Sequence, residues 1–176
     1  GQSASDVAVI GGGIAGCELA MAMAFALRSV GISPRVTVIE LGPQITGVGG
    51  KARQRMLMAM SDLGIVVKTS AKVVEVVSDQ VLLDGQEPVA AVFCVGAAGG
   101  RAHKWISQTS LPQRDGFIEI GTDLGVIGDQ ALFAVGDCAV MGKGLLPKAG
   151  VFAVRAAPIL YNNCLLYTSP SPRDSR

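Results

Sequence analysis

Charged residues are scarce in this sequence: only 16% of its 176 residues are charged, whereas 49% are hydrophobic. This composition excludes a disordered chain and is typical of a well-buried globular α/β protein. The net charge is +1 and no block of basic residues occurs, which argues against a nucleic-acid-binding surface. The length predicts one domain, or one domain and part of another.

The sequence also lacks a long apolar run and a recognisable leader. The longest apolar helix that the pattern predicts, residues 14–27, contains Glu18 and is too short to cross a bilayer. No basic stretch followed by an apolar core opens the sequence, so no signal peptide is visible. The first residues, GQSASD, do not include a methionine, so the true start can lie upstream.

Paired cysteines and a second histidine are absent as well. None of the four cysteines lies in a C-x-x-C pattern, so we expect neither a redox disulfide nor a zinc site, but small buried residues in a reducing compartment. These cysteines are Cys17, Cys94, Cys138 and Cys164. The single histidine, His103, has no second candidate ligand nearby, and we assign it no catalytic role.

What the sequence does contain is a strand, a glycine turn, a helix and a second strand within residues 6–40. The short β-branched run 7–10 predicts a strand buried on both faces of a parallel sheet. Gly11, Gly13 and Gly16 follow with G-x-G-x-x-G spacing, in which the glycines permit the tight turn, the approach of a pyrophosphate and close helix packing. The free N–H groups at the start of the helix, predicted at 14–28, favour an anion.

The spacing alone is a weak signal, because a glycine-rich chain can use it simply as a tight turn. Its context favours nucleotide binding, since the second strand, 36–39, ends on Glu40. This acid comes 24 residues after Gly16, about where the fold places the acid that binds the adenosine ribose. Glu40 would repel a 2′-phosphate, and Leu41 and Gly42 offer no arginine to offset it. The pattern therefore favours NAD over NADP.

Three further features each have two interpretations. Glu18, one turn into the helix, either points to solvent or reaches towards a nicotinamide group. The cations Lys51, Arg53 and Arg55 begin a second predicted helix, 51–63, where they oppose the helix dipole; they form a solvated face or contact a cofactor phosphate or partner domain. Gly96 and Ala97, after the strand VFCVG, either lie under a nicotinamide or form a simple strand-end turn.

The rest of the chain alternates short strands and turns. Residues 71–95 predict a small β-meander, with a turn at Asp84-Gly85 and with Pro88 either on an edge strand or at the start of a strand. A strand at 116–120 and another at 132–135 follow, the latter ending in Gly136-Asp137. A carboxylate in that position suits hydrogen bonding to a polyhydroxyl chain, because ligands of open α/β sheets bind outside the carboxyl ends of the strands. An amphipathic helix is predicted from about Lys148.

The order of these motifs resembles the flavin-dependent pyridine nucleotide-disulfide oxidoreductase superfamily. The segments that match it are GGGIAGCELA, VTVIE, LLDG, VFCVGA, GFIEI and LFAVGDCA. The segments AMAFAL and LPKAGVFAVRAAPIL resemble its type II NADH dehydrogenase-like branch, and within that branch the oxidoreductases found beside, or fused to, selenide, water dikinase.

The resemblance implies two cofactors, NAD and FAD. It implies that Gly11, Gly13, Gly16 and Glu40 bind NAD, with Gly96 near the nicotinamide. It also implies that Gly136 and Asp137 bind the FAD ribityl chain, and that the backbone of Lys148, Ala149 and Gly150 faces the isoalloxazine ring.

The fold class expected is therefore α/β, with a Rossmann-like NAD-binding domain at 6–115 and the return segment of an FAD-binding domain at 116–163. Residues 1–5 would be a linker. The spacing from Gly11 to Gly136 leaves room for one nucleotide domain, so an FAD fingerprint is expected upstream and the chain is interpreted as a fragment. CLLYTSPSPRD, from Cys164, resembles a translated sequencing adapter, so we expect 164–176 to be a non-native tail; a native Pro/Ser tail is the alternative.

The function expected is hydride transfer from NADH to FAD, with electrons passing to a second acceptor, a quinone or another group. No side chain of this chain is assigned as acid or base, because the flavin supplies the chemistry. Two alternatives stay open: an NAD-binding module that is inactive in isolation, and part of a disulfide reductase whose cysteine pair lies upstream. The resemblance also leaves a homodimer of the full-length protein open.

Overall fold

The computed structural model describes residues 6–46, 49–129, 131–142 and 148–168. The linker predicted at 1–5 and the end of the predicted tail lie outside these residues. The chain divides into two compact units, residues 1–99 and 100–176.

The first unit contains a parallel sheet, two helices and an antiparallel meander. Its elements are β1 (Val7–Ile10), α1 (Ile14–Ser29), β2 (Val36–Ile39), α2 (Gly50–Asp62), β3 (Val66–Lys68), β4 (Val73–Val76), β5 (Gln80–Leu83), β6 (Gln86–Ala90) and β7 (Phe93–Gly96). The strand order β3-β2-β1-β7 is parallel throughout, and β4-β5-β6 form a separate antiparallel sheet. Both the parallel sheet and the meander predicted from the sequence are present, but the meander predicted at 71–95 ends at Ala90, because Phe93–Gly96 pair with β1 as part of the parallel sheet.

The central strands are apolar because they are buried on both faces. Successive side chains of a strand point to opposite faces. Val7 and Val9 therefore pack with α1 and with Met60 of α2, whereas Ala8 packs with the meander residues Val81 and Val89. This three-layer arrangement explains why β1 is a continuous apolar run and why β2 is apolar except for the buried Thr37.

The helix boundaries follow from local backbone chemistry. At the end of α2, Ile65 N donates to Met60 O at 2.9 Å and Gly64 N donates to Ser61 O at 2.8 Å, and Gly64 adopts φ +57°. This is a Schellman cap, in which glycine adopts the left-handed conformation without steric cost. The meander also has the predicted turn, with Gly85 at φ +63°, and Pro88 lies on its edge strand β6.

The second unit is a small mixed sheet with one long helix. Its elements are a 3₁₀ turn (Ile106–Gln108), β8 (Gln113–Arg114), β9 (Phe117–Ile120), a second 3₁₀ turn (Gly136–Cys138), β10 (Ala139–Met141) and α3 (Gly150–Thr168). Strand β9 pairs antiparallel with β8 and parallel with β10. Ile118, Ile120 and Val126 form its core, against which Ala156 and Leu160 of α3 pack.

Three sequence-based boundaries differ from the structure. The strand predicted at 132–135 is wrong: Phe133 makes a single bridge to Gly125, because Leu124 at φ +69° interrupts the partner segment. Helix α3 also continues past Cys164, where the predicted tail begins, and ends at Thr168. The domain boundary predicted at 115/116 lies inside the second unit, because β8 pairs with β9 and Ile106 belongs to that unit's core.

No helix among the described residues is long and apolar enough to cross a bilayer. This finding covers the ranges given above.

Candidate functional site

The parallel register of the first sheet brings the predicted nucleotide residues to one edge. Ile10, at the end of β1, lies opposite Ile39 of β2 on one side and opposite Gly96 of β7 on the other. The glycine turn, Glu40 and the chain after Gly96 therefore emerge side by side at the carboxyl end of the sheet. Ligands of open α/β sheets bind in this position.

Two of the three fingerprint glycines are required by close backbone contacts. Gly11 has φ +111°, and a Cβ there would lie 2.5 Å from the Ala97 carbonyl oxygen. At Gly16 a Cβ would lie 1.9 Å from the Gly11 carbonyl oxygen. The start of α1 is thus pressed against the turn, and the turn against the end of β7.

Gly13 differs from the other two glycines, because a Cβ there would meet nothing within 4 Å. Gly13 is exposed and is the N-cap of α1, whose first turn has no acidic residue and whose cap makes no side-chain hydrogen bond. The helix therefore presents its positive end to open space beside a residue without a side chain. This arrangement suits a phosphate group.

Glu40 is half-buried and its carboxylate bonds to main-chain groups of two loops. Oε2 accepts a hydrogen bond from Gly12 N at 2.6 Å, and Oε1 accepts one from Gly42 N at 2.7 Å. An ionised carboxylate offers about four acceptor positions. Each oxygen therefore retains capacity for a hydroxyl of a ligand.

The loop after β2 supports the glycine turn through residues that the sequence analysis missed. Thr46 N donates to Gly12 O at 2.7 Å, and Ile45 is only 1% exposed, with its Cγ2 beneath Gly12. A lone isoleucine in an otherwise small and polar segment, GPQITG, is the signal that could have indicated a buried anchor there.

The other residues predicted for the nucleotide site make no hydrogen bond to the glycine turn with their side chains in the contacts described below. Glu18 is exposed on the second turn of α1, which is compatible with both of its interpretations. Gly96 is exposed at the end of β7, where Ala97 N donates to Ile10 O at 2.7 Å. Among the cations of α2, Arg53 bonds to Gln44 Oε1 in the loop after β2, whereas Lys51 and Arg55 are exposed.

The thiol of Cys17 lies directly under the glycine turn. It is fully buried, and its Sγ is 3.5 Å from Gly12 O. Burial raises the pKa of the Cys17 thiol above its ordinary value of 9.0, and the nearby charges of Glu40 and Glu18 raise it further. In the folded chain the thiol is therefore neutral and does not compete with phosphate for the turn.

The second unit gathers most of the residues predicted to contact FAD around one cavity. The cavity has a volume of about 80 Å³ and is lined by Gly136, Asp137, Lys148 and Ala149. Gly136 has φ +74°, and a Cβ there would lie 3.3 Å from Ala153 Cβ of α3. Asp137 is exposed, so its carboxylate is accessible for hydrogen bonds to a ligand. Gly150, the fifth predicted residue, begins α3.

The side chain of Lys148 turns inward and does not extend into solvent. Its Nζ donates to the Ala139 carbonyl oxygen and lies 4.1 Å from the centroid of the Phe117 ring. Lys148 therefore ties the start of α3 to β9 and β10, which leaves the backbone of this helix start for contact with a ligand. The sequence analysis predicted a role for the backbone here, and it missed the two groups that the Lys148 side chain contacts, Ala139 O and the Phe117 ring.

Taken unit by unit, the chemistry fits two kinds of ligand. The first unit offers main-chain N–H groups to a diphosphate and a carboxylate to vicinal hydroxyls. The second unit offers an exposed carboxylate beside a glycine with little room for a side chain, which fits a flexible polyhydroxyl chain.

Comparison with known sequences relates most of the chain to proteins that bind nucleotide cofactors. The profile of the family described as pyridine nucleotide-disulphide oxidoreductase matches residues 1–157. An NADH dehydrogenase-like protein of Mycobacterium tuberculosis is 33% identical over 145 residues, which are 78% of this chain and 36% of that protein. A nitric oxide reductase FlRd-NAD(+) reductase of Klebsiella pneumoniae is 29% identical over 152 residues, 83% of this chain and 38% of that protein. The chain thus spans just over a third of these relatives.

Solved structures share the fold. An FAD-dependent pyridine nucleotide-disulphide oxidoreductase from Desulfovibrio vulgaris has a TM-score of 0.72 and 26% identity, over 91% of this chain and 42% of that one. An NAD-dependent persulfide reductase from A. fulgidus has a TM-score of 0.75 and 21% identity, over 95% and 32%. The α/β fold class expected from the sequence is confirmed.

Proposed function

The chain belongs to the pyridine nucleotide-disulphide oxidoreductase family, and on this basis we propose that it provides the NADH-binding part of an FAD-dependent oxidoreductase. Members of the family use FAD and NAD(P)H. The observation that best supports NADH binding is the arrangement at the edge of the first sheet, where open space over Gly13 and the start of α1 lies beside the Glu40 carboxylate.

Specificity for NADH over NADPH follows from charge. A 2′-phosphate on the adenosine ribose would lie beside the Glu40 carboxylate, and two like charges at about 4 Å repel by about 1–4 kcal/mol at effective dielectric constants of about 80 to 20. Leu41, next to Glu40, is 68% exposed and apolar, so it offers no compensating cation.

For the second unit we propose contact with FAD, which when bound supplies the flavin that accepts a hydride. Asp137 would accept hydrogen bonds from the ribityl hydroxyls, and Gly136 allows the chain to approach the backbone. Lys148, through its bond to Ala139 O, would hold the start of α3 in place so that the main chain of Ala149 and Gly150 faces the ring. The residues of this chain bind and orient, and none is assigned as an acid or a base.

A binding module without catalysis is the second candidate, and the structure offers one observation in its favour. The nucleotide turn, Glu40 and the loop after β2 all belong to the first compact unit, so NADH could bind without FAD. The narrower resemblance to oxidoreductases beside or fused to selenide, water dikinase is kept as part of the proposal, and sequence beyond residue 163 of the parent gene tests it. We leave the electron acceptor as a quinone or another group.

Titration of the full 176-residue chain with NADH and NADPH tests the proposal. We expect NADH to bind about tenfold more tightly, since a repulsion of about 1.4 kcal/mol corresponds to a factor of ten. Failure to bind NADH would contradict the proposed function. Addition of FAD, followed through its absorbance with and without NADH under anaerobic conditions, separates the two candidates: bound and reduced flavin supports the oxidoreductase, and NADH binding without flavin binding supports the module.

A further inference from the structure

The backbone of Gly12, in the middle of the glycine turn, is held on both sides of its Cα by the loop after β2. Its N–H donates to Glu40 Oε2 at 2.6 Å, and its carbonyl oxygen accepts a hydrogen bond from Thr46 N at 2.7 Å. The other carboxylate oxygen of Glu40 accepts from Gly42 N at 2.7 Å. A single side chain therefore connects the turn after β1 to the loop after β2.

Packing restricts this connection to one geometry. A Cβ at Gly12 would lie 2.9 Å from both Glu40 Cβ and Ile45 Cγ2, which is closer than side-chain atoms tolerate. Ile45 is fully buried and Gly12 is buried. The turn is consequently packed directly against Glu40 and Ile45, and the two hydrogen bonds of Gly12 hold it there.

We propose that Glu40 is a positioning residue for the diphosphate-binding turn, in addition to its role as an acceptor for the ribose hydroxyls. This inference rests on the proposed dinucleotide site. Glu40 fixes the peptide that joins Gly11 to Gly12, and through the Gly12 backbone it positions Gly13 and the start of α1, where a diphosphate would bind. Preorganised main-chain donors bind an anion more tightly than donors that must first be ordered.

The proposal makes a prediction opposite in sign to that of a simple ribose ligand. If Glu40 only bound the ribose, its negative charge would oppose a nearby diphosphate, and neutralising it would tighten the binding of a diphosphate ligand that lacks ribose hydroxyls. If Glu40 positions the turn, neutralising it weakens the binding of that ligand too. Exchanging Glu40 to change cofactor specificity would then reduce affinity for NADH and NADPH alike.

The experiment compares ADP with 2′,3′-dideoxy-ADP as ligands, by isothermal titration calorimetry, on the full chain and on Glu40→Gln. Glutamine keeps one acceptor oxygen and replaces the other with a donor, so one of the two main-chain bonds is lost. Glu75→Gln, which neutralises an exposed carboxylate on the meander strand β4, is the matched control. Far-UV circular dichroism and urea midpoints establish that each variant is folded.

We expect Glu40→Gln to weaken both ligands by about tenfold, since a hydrogen bond to a charged group changes an equilibrium by about this factor, and Glu75→Gln to bind both like the unmodified chain. Unchanged or tighter binding of dideoxy-ADP by Glu40→Gln would overturn the positioning role while leaving the proposed function intact. If the unmodified chain binds neither NADH nor ADP, the proposed function itself fails.

A second measurement needs no variant. In the ligand-free chain, the amides of Gly12 and Gly42 are expected to be protected from hydrogen exchange, because both donate to Glu40. Exchange of either amide at the rate of an unstructured chain would overturn the proposal, whatever the folding behaviour of Glu40→Gln.

Discussion

The contrast between Gly16 and Gly13 yields the sharpest test of how the nucleotide turn is built. In Gly16→Ala, the new Cβ would lie 1.9 Å from the Gly11 carbonyl oxygen, and ordinary contact begins at 3.4 Å. One backbone must therefore retreat by about 1.5 Å, the difference of these two distances. Both atoms are fixed to main chain, so no side-chain rotation can relieve the overlap.

The cost can be estimated from similar changes. Overpacking a well-packed site costs about 1–3 kcal/mol and occasionally more, and the gain in helix propensity from glycine to alanine returns about 1 kcal/mol. Because this overlap is between backbones, we expect a net loss of about 2 kcal/mol in the free energy of unfolding. With a urea dependence of about 1–3 kcal/mol per molar, the midpoint should fall by about 1 M.

Gly13→Ala is the matched control, since its Cβ meets nothing within 4 Å and its φ of −66° suits alanine. Alanine lowers the entropy of the unfolded chain, which stabilises the fold, but it is a poorer helix N-cap than glycine, which destabilises it. Since the two effects oppose each other, we expect the free energy of unfolding to change by less than about 1 kcal/mol. NADH binding should nevertheless weaken by about tenfold, because the methyl group occupies the space where main chain would meet the pyrophosphate.

The two variants are compared by urea unfolding, followed by circular dichroism, and by NADH titration. If Gly16→Ala has an unchanged urea midpoint, the contact between α1 and the turn does not exclude a side chain at residue 16. If Gly13→Ala binds NADH as tightly as the unmodified chain, the diphosphate does not bind over this turn.

Three other predictions follow from the same contacts. Leu41→Arg places a cation on an exposed position beside Glu40, and we expect the ratio of NADH to NADPH affinity in titrations to fall by about fivefold, the effect of about 1 kcal/mol. Lys148→Met removes the hydrogen bond to Ala139 O and the contact with the Phe117 ring, so urea unfolding should show a loss of about 1 kcal/mol. Because the pKa of Cys17 is raised in the folded chain, the thiol stays protonated there, while in the unfolded chain it ionises near its ordinary value of 9.0. Its contribution to stability is therefore retained below pH 9 and is lost as the pH rises above 9. The fall in the free energy of unfolding between pH 8 and pH 10 should be smaller in Cys17→Ala.

Each of these predictions has a result that would contradict it. An unchanged affinity ratio in Leu41→Arg would mean that the adenosine ribose does not lie beside Glu40. A Lys148→Met chain as stable as the unmodified one would mean that the inward position of the ammonium group contributes nothing. Equal losses of stability at pH 10 with and without Cys17 would show that this thiol is not the titrating group.

Much of the first unit could be predicted because its signals are local. These signals depend only on neighbours along the chain: the four residues of β1, the glycine spacing, the apolar pattern of α1 and the position of Glu40. The structure has the corresponding elements within one or two residues of the predicted bounds. The strand predicted at 132–135 failed because a strand needs a partner. Among the residues that the structure describes, its bridge partner is the segment around Leu124 and Gly125, which turns away after one bridge. No pattern within 132–135 indicates this.

The sequence by itself determined the order of β1, turn, α1 and β2, and placed the acid at the end of β2, because side-chain periodicity and glycine spacing act over a few residues. Only the tertiary structure decided that Glu40 bonds to Gly12, that Ala97 closes against Gly11, and that Lys148 turns inward to Ala139 and Phe117. These contacts join residues far apart in the chain, so they depend on strand register and on packing, which emerge only when the elements assemble.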